Sequence, residues 1–264
     1  MSTSAGKVAV VTGAASGLGA ATALLLRERG WSVAAMDRAP QSEDQDAYVV
    51  DVSDPASVKA GVDATLASYG RIDAVAHCAG VFGNSLAPLH LLEDQVWHET
   101  IGVNLTGGFL VAKAVLPALL ESRGALTFVS SISATFTQPG GTAYAASKAG
   151  LVGLSNAIAV EYGIQGVRCN SVLPGYMATP MAGPLLDRPH LREAIEQEIP
   201  LGRVAEPREV AQVVAFTISE EASYMSGHAV AVDGAAHLTS MTSRRDNDRL
   251  WRGVAGVSCA VTEV

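Results

Sequence analysis

The chain is poor in charge, in aromatic rings and in cysteine. Of its 264 residues 17% are charged and 5% aromatic, against 48% hydrophobic. Its three cysteines, Cys78, Cys169 and Cys259, are odd in number and far apart, which excludes a disulfide framework as the basis of the fold. Cys78 and Cys169 fall on strand-like runs and are expected in the core. The six histidines show no metal-ligand spacing, so no metal is expected, and His90 and His98 read as helix-surface residues. Acidic residues outnumber basic ones by 26 to 18, and no basic patch is interleaved with aromatics, which argues against a nucleic-acid partner. No run of about 18 apolar residues is present to cross a membrane, and no charged-then-apolar leader opens the chain. A cytoplasmic location with no membrane partner is therefore expected.

What is present is a regular alternation of strand-like and helix-like segments. Strands are predicted at Lys7–Thr12, Ser32–Met36, Ala47–Val50, Ile72–His77, Ala125–Val129, Val167–Val172 and His228–Val232. Helices are predicted at about Pro55–Tyr69, Glu93–Glu121, Ala143–Tyr162 and Pro207–Ser219, with Pro55 and Pro207 in first-turn positions and Asp54 as an N-cap. Such alternation predicts an α/β fold, a Rossmann-like doubly wound parallel sheet of seven strands with helices on both faces. Neither a repeat nor a dividing linker is seen, so residues 1–236 read as a single domain. Three segments are irregular. Arg38–Asp46 is too short and polar for a full crossover helix. Tyr176–Arg203 is long, with Met177, Met181, Leu185 and Leu186 suggesting an apolar pocket wall, although Leu191–Glu198 also fits a surface helix lying on the core. Residues 237–264 form a polar, patternless tail expected to be loosely ordered, with Trp251 able to dock on a neighbouring subunit.

Two motifs carry chemistry. The first strand runs into Gly13-Ala-Ala-Ser16-Gly17-Leu18-Gly19, which is followed by a helical pattern. Strand, glycine turn and helix let backbone approach a pyrophosphate at the positive helix end. The second strand ends on Asp37, whose carboxylate can accept from both ribose hydroxyls and repel a 2′-phosphate, so NAD is the expected cofactor. Arg38 beside it could hold a 2′-phosphate, which keeps NADP as the alternative. The second motif is Tyr144-Ala-Ala-Ser-Lys148. At a spacing of four residues, phenol and ammonium share one helix face, and a cation beside a phenol favours the phenolate, as a general acid/base for an alcohol oxygen requires. Ser131 stands thirteen residues upstream of the tyrosine.

With these residues together, the chain resembles the short-chain dehydrogenase/reductase family over about residues 5–236. Thr12-Gly13 through Gly19 matches its cofactor loop, Asp51-Val52 its adenine-contacting pair, and Asn104 its water-holding asparagine. Ser131, Tyr144 and Lys148 match its other catalytic positions. Pro174-Gly175, with Met177 and Thr179 following, matches the loop that grips the nicotinamide carboxamide, and Val232-Asp233-Gly234 the end of the last strand. The family usually has Asn-Asn-Ala-Gly after the fourth strand; here His77-Cys78-Ala79-Gly80 keeps the Ala-Gly backbone but replaces both amides, which puts cofactor affinity in question. His77 can still donate and accept, so the bracing role could survive.

The resemblance implies hydride exchange between a nicotinamide and a secondary alcohol or ketone, with cyclic alcohols and dihydrodiols among the candidates. Tyr144 would move the proton, Lys148 would stabilise the phenolate and hold the ribose, Ser131 would hydrogen-bond the substrate oxygen, and Asn104 would anchor a relaying water. Ser130 and Ser133 are rivals for the part of Ser131, and Asn104 could instead cap backbone in a helix kink. The resemblance also implies a substrate lid at about 176–203 and a homotetramer, with a dimer as alternative, built on helices around Leu105–Leu120 and Leu151–Ile158. Two other readings remain open: an NADPH-dependent ketoreductase of acyl or polyketide type, and a catalytically silent dinucleotide-binding protein.

Overall fold

The structure is a computed structural model and describes residues 6–39, 46–83, 87–137 and 139–238. Seven strands form one sheet: β1 (Val8–Thr12), β2 (Ser32–Asp37), β3 (Ala47–Val49), β4 (Ala74–His77), β5 (Ala125–Val129), β6 (Arg168–Pro174) and β7 (Ala229–Val232). Their order is β3-β2-β1-β4-β5-β6-β7, and every pairing is parallel. Strands β1, β4 and β5 are buried at every position, as a sheet covered on both faces requires. The chain winds outward from β1 to β3, then returns to lay β4 on the other side of β1. The crevice at the carboxyl ends of β1 and β4 is therefore the topological switch point, where open α/β sheets bind ligands.

The helices are α1 (Gly17–Glu28), α2 (Pro55–Tyr69), α3 (Asp94–Ile101), α4 (Gly107–Ser122), α5 (Thr142–Tyr162), α6 (Gly183–Leu186), α7 (Pro189–Glu198) and α8 (Pro207–Ile218). Because side chains alternate along each strand, the sheet supports two cores. Val10, Val75, Leu126 and Phe128 meet Val62 of α2, Val115 and Leu119 of α4, and Leu151 and Ile158 of α5 on one face. Ala9, Val11, Ala74 and Ala76 meet Leu25 and Leu26 of α1 and Val210 and Val214 of α8 on the other. Helix α2 starts as its sequence demands, with Asp54 accepting from the amides of Ala56 and Ser57, while α8 begins on a capping box of Glu206 and Glu209.

Three departures from expectation go beyond a single end residue. Strand β4 opens at Ala74 rather than Ile72, because the Asp73 carboxylate takes the Val8 amide at 2.8 Å and pairs with Arg71. Strand β6 runs on to Pro174, whose neighbour Gly175 donates to the Val232 carbonyl at 3.0 Å. The single helix predicted over 93–121 is interrupted by a π turn at Gly102–Thr106, a device that bends a helix locally and recurs at functional sites. The combined stretch Asp94–Ser122 is long and apolar enough to cross a membrane by length and composition, contrary to the expectation that none was. Its apolarity has a local use, since Val111, Val115 and Leu119 are buried against the sheet.

Residues 40–45, within the short β2–β3 connection, lie outside the described residues, as do 239–264 with Trp251 and Cys259. Of the expected tail, His237 and Leu238 belong to a 3-10 turn, Ala236–Leu238, which the Asp233 carboxylate holds by accepting the His237 amide at 2.8 Å.

Candidate active site

The glycine turn is built by backbone constraint. Gly13 sits at φ +67°, and a Cβ there would stand 2.8 Å from the Cα and amide of Ala79. The loop between β1 and α1 therefore lies directly against the Cys78-Ala79 backbone that follows β4. Ser16 is the N-cap of α1 without a side-chain cap bond, so the first-turn amides of Gly17, Leu18 and Gly19 have no intrahelical acceptor and form an anion-seeking rim. At the end of β2, Asp37 accepts from the Ala15 amide and the Ala39 amide, each at 3.0 Å. Its carboxylate is thereby fixed in orientation, and each oxygen keeps acceptor capacity. Asp51 is folded on itself by accepting the Ser53 amide at 2.9 Å and the Ser53 hydroxyl at 2.6 Å. Those bonds, partly offset by burial and joined by the charge of Arg38, hold its carboxyl below the usual range.

These residues open onto one cavity of about 970 Å³, at the upper end of the roughly 300–1,000 Å³ typical of small-molecule sites. Gly13, Ser16, Gly17, Leu18, Gly19, Asp37, Arg38, Asp51 and Val52 line one end. Cys78, Ala79 and Gly80 line it after β4, Ser131 after β5, Tyr144 and Lys148 on α5, and Pro174, Gly175, Met177 and Thr179 after β6. Of the predicted site residues only Asn104 is not part of the wall. Cys78 is half-buried on that wall rather than in the core as expected, because the strand ends one residue before it. Burial still pushes its thiol up to about 12, so it stays protonated.

The proton-transfer groups are packed closely. Ser131 and Lys148 are buried, and Lys148 Nζ lies 5.6 Å from the centroid of the Tyr144 ring. Nζ donates to the Val129 carbonyl at 2.8 Å, and desolvation lowers its pKa to about 8. The tyrosine departs from expectation: burial raises its pKa above 10, and the hydrogen bond with Ser131 offsets this only in part. Burial thus works against the phenolate that Lys148 was expected to favour, since desolvation penalises the anion. Among the rival serines, the Ser130 hydroxyl is used to anchor α5, donating to the Lys148 carbonyl at 2.7 Å. Ser131 Oγ accepts the Ser133 amide at 3.1 Å and reaches Tyr144.

Asn104, fully buried in the π turn, accepts the Val81 amide at 2.8 Å and donates to the Val81 carbonyl at 2.9 Å and to Ser147 Oγ at 3.0 Å. It staples the strand-end loop to α5. A Cβ on Gly80 would stand 3.2 Å from Lys148 Nζ and 3.3 Å from Asn104 Oδ1, so the glycine lets the three approach without a shift of either side chain. The replaced amide position is also accounted for geometrically. His77 Nδ1 pairs with the Thr12 hydroxyl at 3.0 Å, and the same hydroxyl accepts the Ala79 amide at 3.1 Å. His77 thus braces β4 to β1 and, through Thr12, the Ala79 backbone. Burial, reinforced by the charge of Lys148, lowers its pKa to about 3, so it is neutral.

The far side of the cavity contains residues that sequence reasoning missed: Phe82, Phe136, Pro139, Leu191, Ile195 and Ile199. Phe82 stacks at a tilt on Tyr144 with centroids 5.0 Å apart; the sole signal for it was its place two residues after Gly80. Of the predicted apolar wall, Met177, Met181 and Leu185 line the cavity. Leu186 instead is buried with Ile199 and Val204 in a small separate core, because α6 turns it away. The segment carrying these groups is pinned at its base, where Ala178 donates to the Ala205 carbonyl and Ala205 to the Tyr176 carbonyl at 2.9 and 3.0 Å.

Comparison with known proteins agrees with this geometry. A family model described as Enoyl-(Acyl carrier protein) reductase, of the short-chain dehydrogenase/reductase family, matches residues 13–237. The chain is 38% identical over 242 residues to a 3-oxoacyl-[acyl-carrier-protein] reductase of Thermotoga maritima, covering 87% of this chain and 97% of that one. It is 40% identical over 240 residues to a cis-4-hydroxycyclohexanecarboxylate dehydrogenase of Sinomonas cyclohexanicum, covering 86% and 95%. The ligand-free aldohexose dehydrogenase of Thermoplasma acidophilum superposes with a TM-score of 0.85 at 31% identity, over 90% of this chain and 96% of that one. With a family match spanning most of its length, the chain belongs to the short-chain dehydrogenase/reductase family, oxidoreductases that act on CH–OH groups with a nicotinamide dinucleotide.

Proposed function

We propose that this chain is an NAD-dependent dehydrogenase that interconverts a secondary alcohol and its ketone, with Tyr144 as general acid/base. The observation that carries the reading is the shared cavity, onto which the glycine rim and Asp37 open at one end and Ser131, Tyr144 and Lys148 beyond them. The rim amides of α1 would hold the pyrophosphate, Asp37 the adenosine ribose, and Asp51 and Val52 the adenine. Gly80, Pro174, Gly175, Met177 and Thr179 would frame the nicotinamide. When bound, the nicotinamide supplies the hydride chemistry. Asp37 favours NAD, because a 2′-phosphate beside a fixed carboxylate is repelled. Arg38, on the same wall, supports a second reading in which NADP is used and ketones are reduced.

The protein's own groups handle the proton. In oxidation Tyr144 takes the alcohol proton, and in reduction it returns one to the developing alkoxide. Ser131 donates to the same oxygen and stabilises its charge as it builds. Lys148, with two N–H donors beyond the one held by Val129, draws the phenol toward its anion when substrate displaces water. Asn104 holds the Val81 backbone so that Gly80 and Lys148 stay in contact, and its buried site beside Lys148 suits the anchoring of a relay water. The segment 176–203 acts as a lid over the substrate, and the folded enzyme unit is residues 1–236. We further propose a homotetramer, for which the exposed Phe109 on α4 and Val160 on α5 supply apolar contact area.

The test is dehydrogenation of a panel of cyclic and acyclic secondary alcohols with NAD and with NADP, by wild type and by Tyr144→Phe. Turnover with NAD is expected in the wild type and a loss of at least about 1,000-fold in the variant, with dinucleotide affinity measured by calorimetry nearly unchanged. Activity retained by Tyr144→Phe would exclude the proposed role, and a preference for NADP would favour the second reading.

A further inference from the structure

The wall of the cavity changes character along its length. At the dinucleotide end it carries Asp37, Arg38 and Asp51 beside backbone donors. The rest of the wall is rich in carbon, with Phe82, Phe136, Pro139, Met181, Leu185 and Ile195 beside the uncharged polar groups of Ser133, Thr137 and Tyr176. Among the described lining residues only Arg38 and Lys148 are basic. Arg38 follows β2, which stands three strand positions from β5, a separation of roughly 14 Å at the usual strand spacing. Lys148 is buried and committed to the Val129 carbonyl and the tyrosine. Besides Asp37 and Asp51, the carboxylate among the described lining residues is Glu198, at the end of α7.

Resting on the dehydrogenase reading, we propose that the outer chamber selects an uncharged, carbon-rich secondary alcohol or ketone and rejects one that bears an anionic group beyond the reacting carbon. The physical reason is desolvation. A carboxylate entering this chamber gives up its water, meets aromatic and aliphatic carbon, and finds among the described lining residues no cation beyond Arg38 and Lys148. An uncharged skeleton loses nothing polar there and gains contact with Phe82, which already lies on the Tyr144 ring. Phe82 is thus a specificity-determining residue, since it lines the cavity with its ring tilted on that of Tyr144. The reaction stays balanced: the carbinol C–H leaves as hydride to the oxidised dinucleotide, the O–H proton goes to the Tyr144 phenolate and makes it a phenol, and the C=O forms.

The experiment uses matched pairs of ring and open-chain alcohols that differ only in a methyl or carboxylate group remote from the hydroxyl, such as 4-methylcyclohexanol and 4-hydroxycyclohexanecarboxylate. With the full chain, kcat/KM is expected to favour the uncharged member by at least about 100-fold. Calorimetric binding of the matching ketones to the dinucleotide-loaded protein is expected to rank them the same way, whatever the turnover. Leu185→Lys, which sets a cation in the chamber, should raise kcat/KM for the carboxylate at least about tenfold. Phe82→Ala should lower it for the uncharged member by a similar factor while dinucleotide affinity is unchanged. Equal values for the two members, preference for the carboxylate, or binding of neither ketone would overturn the inference. Selective ketone binding without any turnover would leave it standing and remove the dehydrogenase reading instead.

Discussion

At the scale of single residues, His77 shows how a substitution in a family motif is absorbed. Its imidazole fills a fully buried position, Nδ1 is tied to Thr12, and Nε2 has no hydrogen-bond partner among the described residues. Protonation there would bury an uncompensated charge, hence a pKa of about 3 in place of 6.5. The unfolded chain therefore binds more protons than the folded one between those values, and stability falls as pH falls through that window. Between neutral pH and about pH 5 the wild type should lose roughly 2 kcal/mol more stability than His77→Asn, on the scale of about 1.4 kcal/mol per unit below the unfolded value. Urea denaturation of both proteins at the two pH values measures this, and parallel losses would show that His77 titrates normally. The brace itself was foreseeable from the donor and acceptor capacity of imidazole; its partner Thr12 was not, because nothing in the spacing of the two residues announces that β1 and β4 are neighbours.

At the scale of elements, the site depends on joints between segments distant in sequence. The π turn holds Asn104 against Val81, and the pair of backbone hydrogen bonds linking Tyr176, Ala178 and Ala205 closes the base of the segment over the cavity. Replacing Ala205 by Pro removes the amide that donates to the Tyr176 carbonyl. One such bond contributes about 0.5–1.5 kcal/mol, so the variant should stay folded while the lid loosens. The expected result is a KM for alcohol raised about threefold to tenfold with dinucleotide affinity little changed, read from steady-state kinetics and calorimetry. An unaltered KM would mean that this joint does not govern the lid. The long apolar helix was legible in the sequence, but the break at Gly102–Thr106 was not, since an extra residue in a helical turn leaves the hydrophobic pattern nearly intact.

At the scale of the whole molecule, the proposed association would use the outer faces of α4 and α5. Within the stretch Leu151–Ile158, expected to lie at a subunit contact, Leu151 and Ile158 themselves are turned inward to the sheet. The surface is left to Phe109, 47% exposed, and Val160, 84% exposed. If the proposed tetramer uses this surface, light scattering should give about four times the 27.2 kDa of one chain, and Phe109→Glu should lower the mass by burying a charge at the contact. A wild type that scatters as a single chain would exclude the assembly.

The sequence by itself determined the family and the parallel sheet, and it named the residues that line the cavity beside the glycine turn. Those features are local: a glycine turn between strand and helix, an acid at a strand end, and a tyrosine and lysine one helical turn apart. Tertiary structure decided what depends on contact between remote segments. It set the burial that opposes ionisation of Tyr144, joined His77 to Ala79 through Thr12, and turned Leu186 away from the cavity that Phe82 and Ile195 enter. Periodicity reports which face of an element is apolar, but desolvation and contact are fixed only when the elements pack.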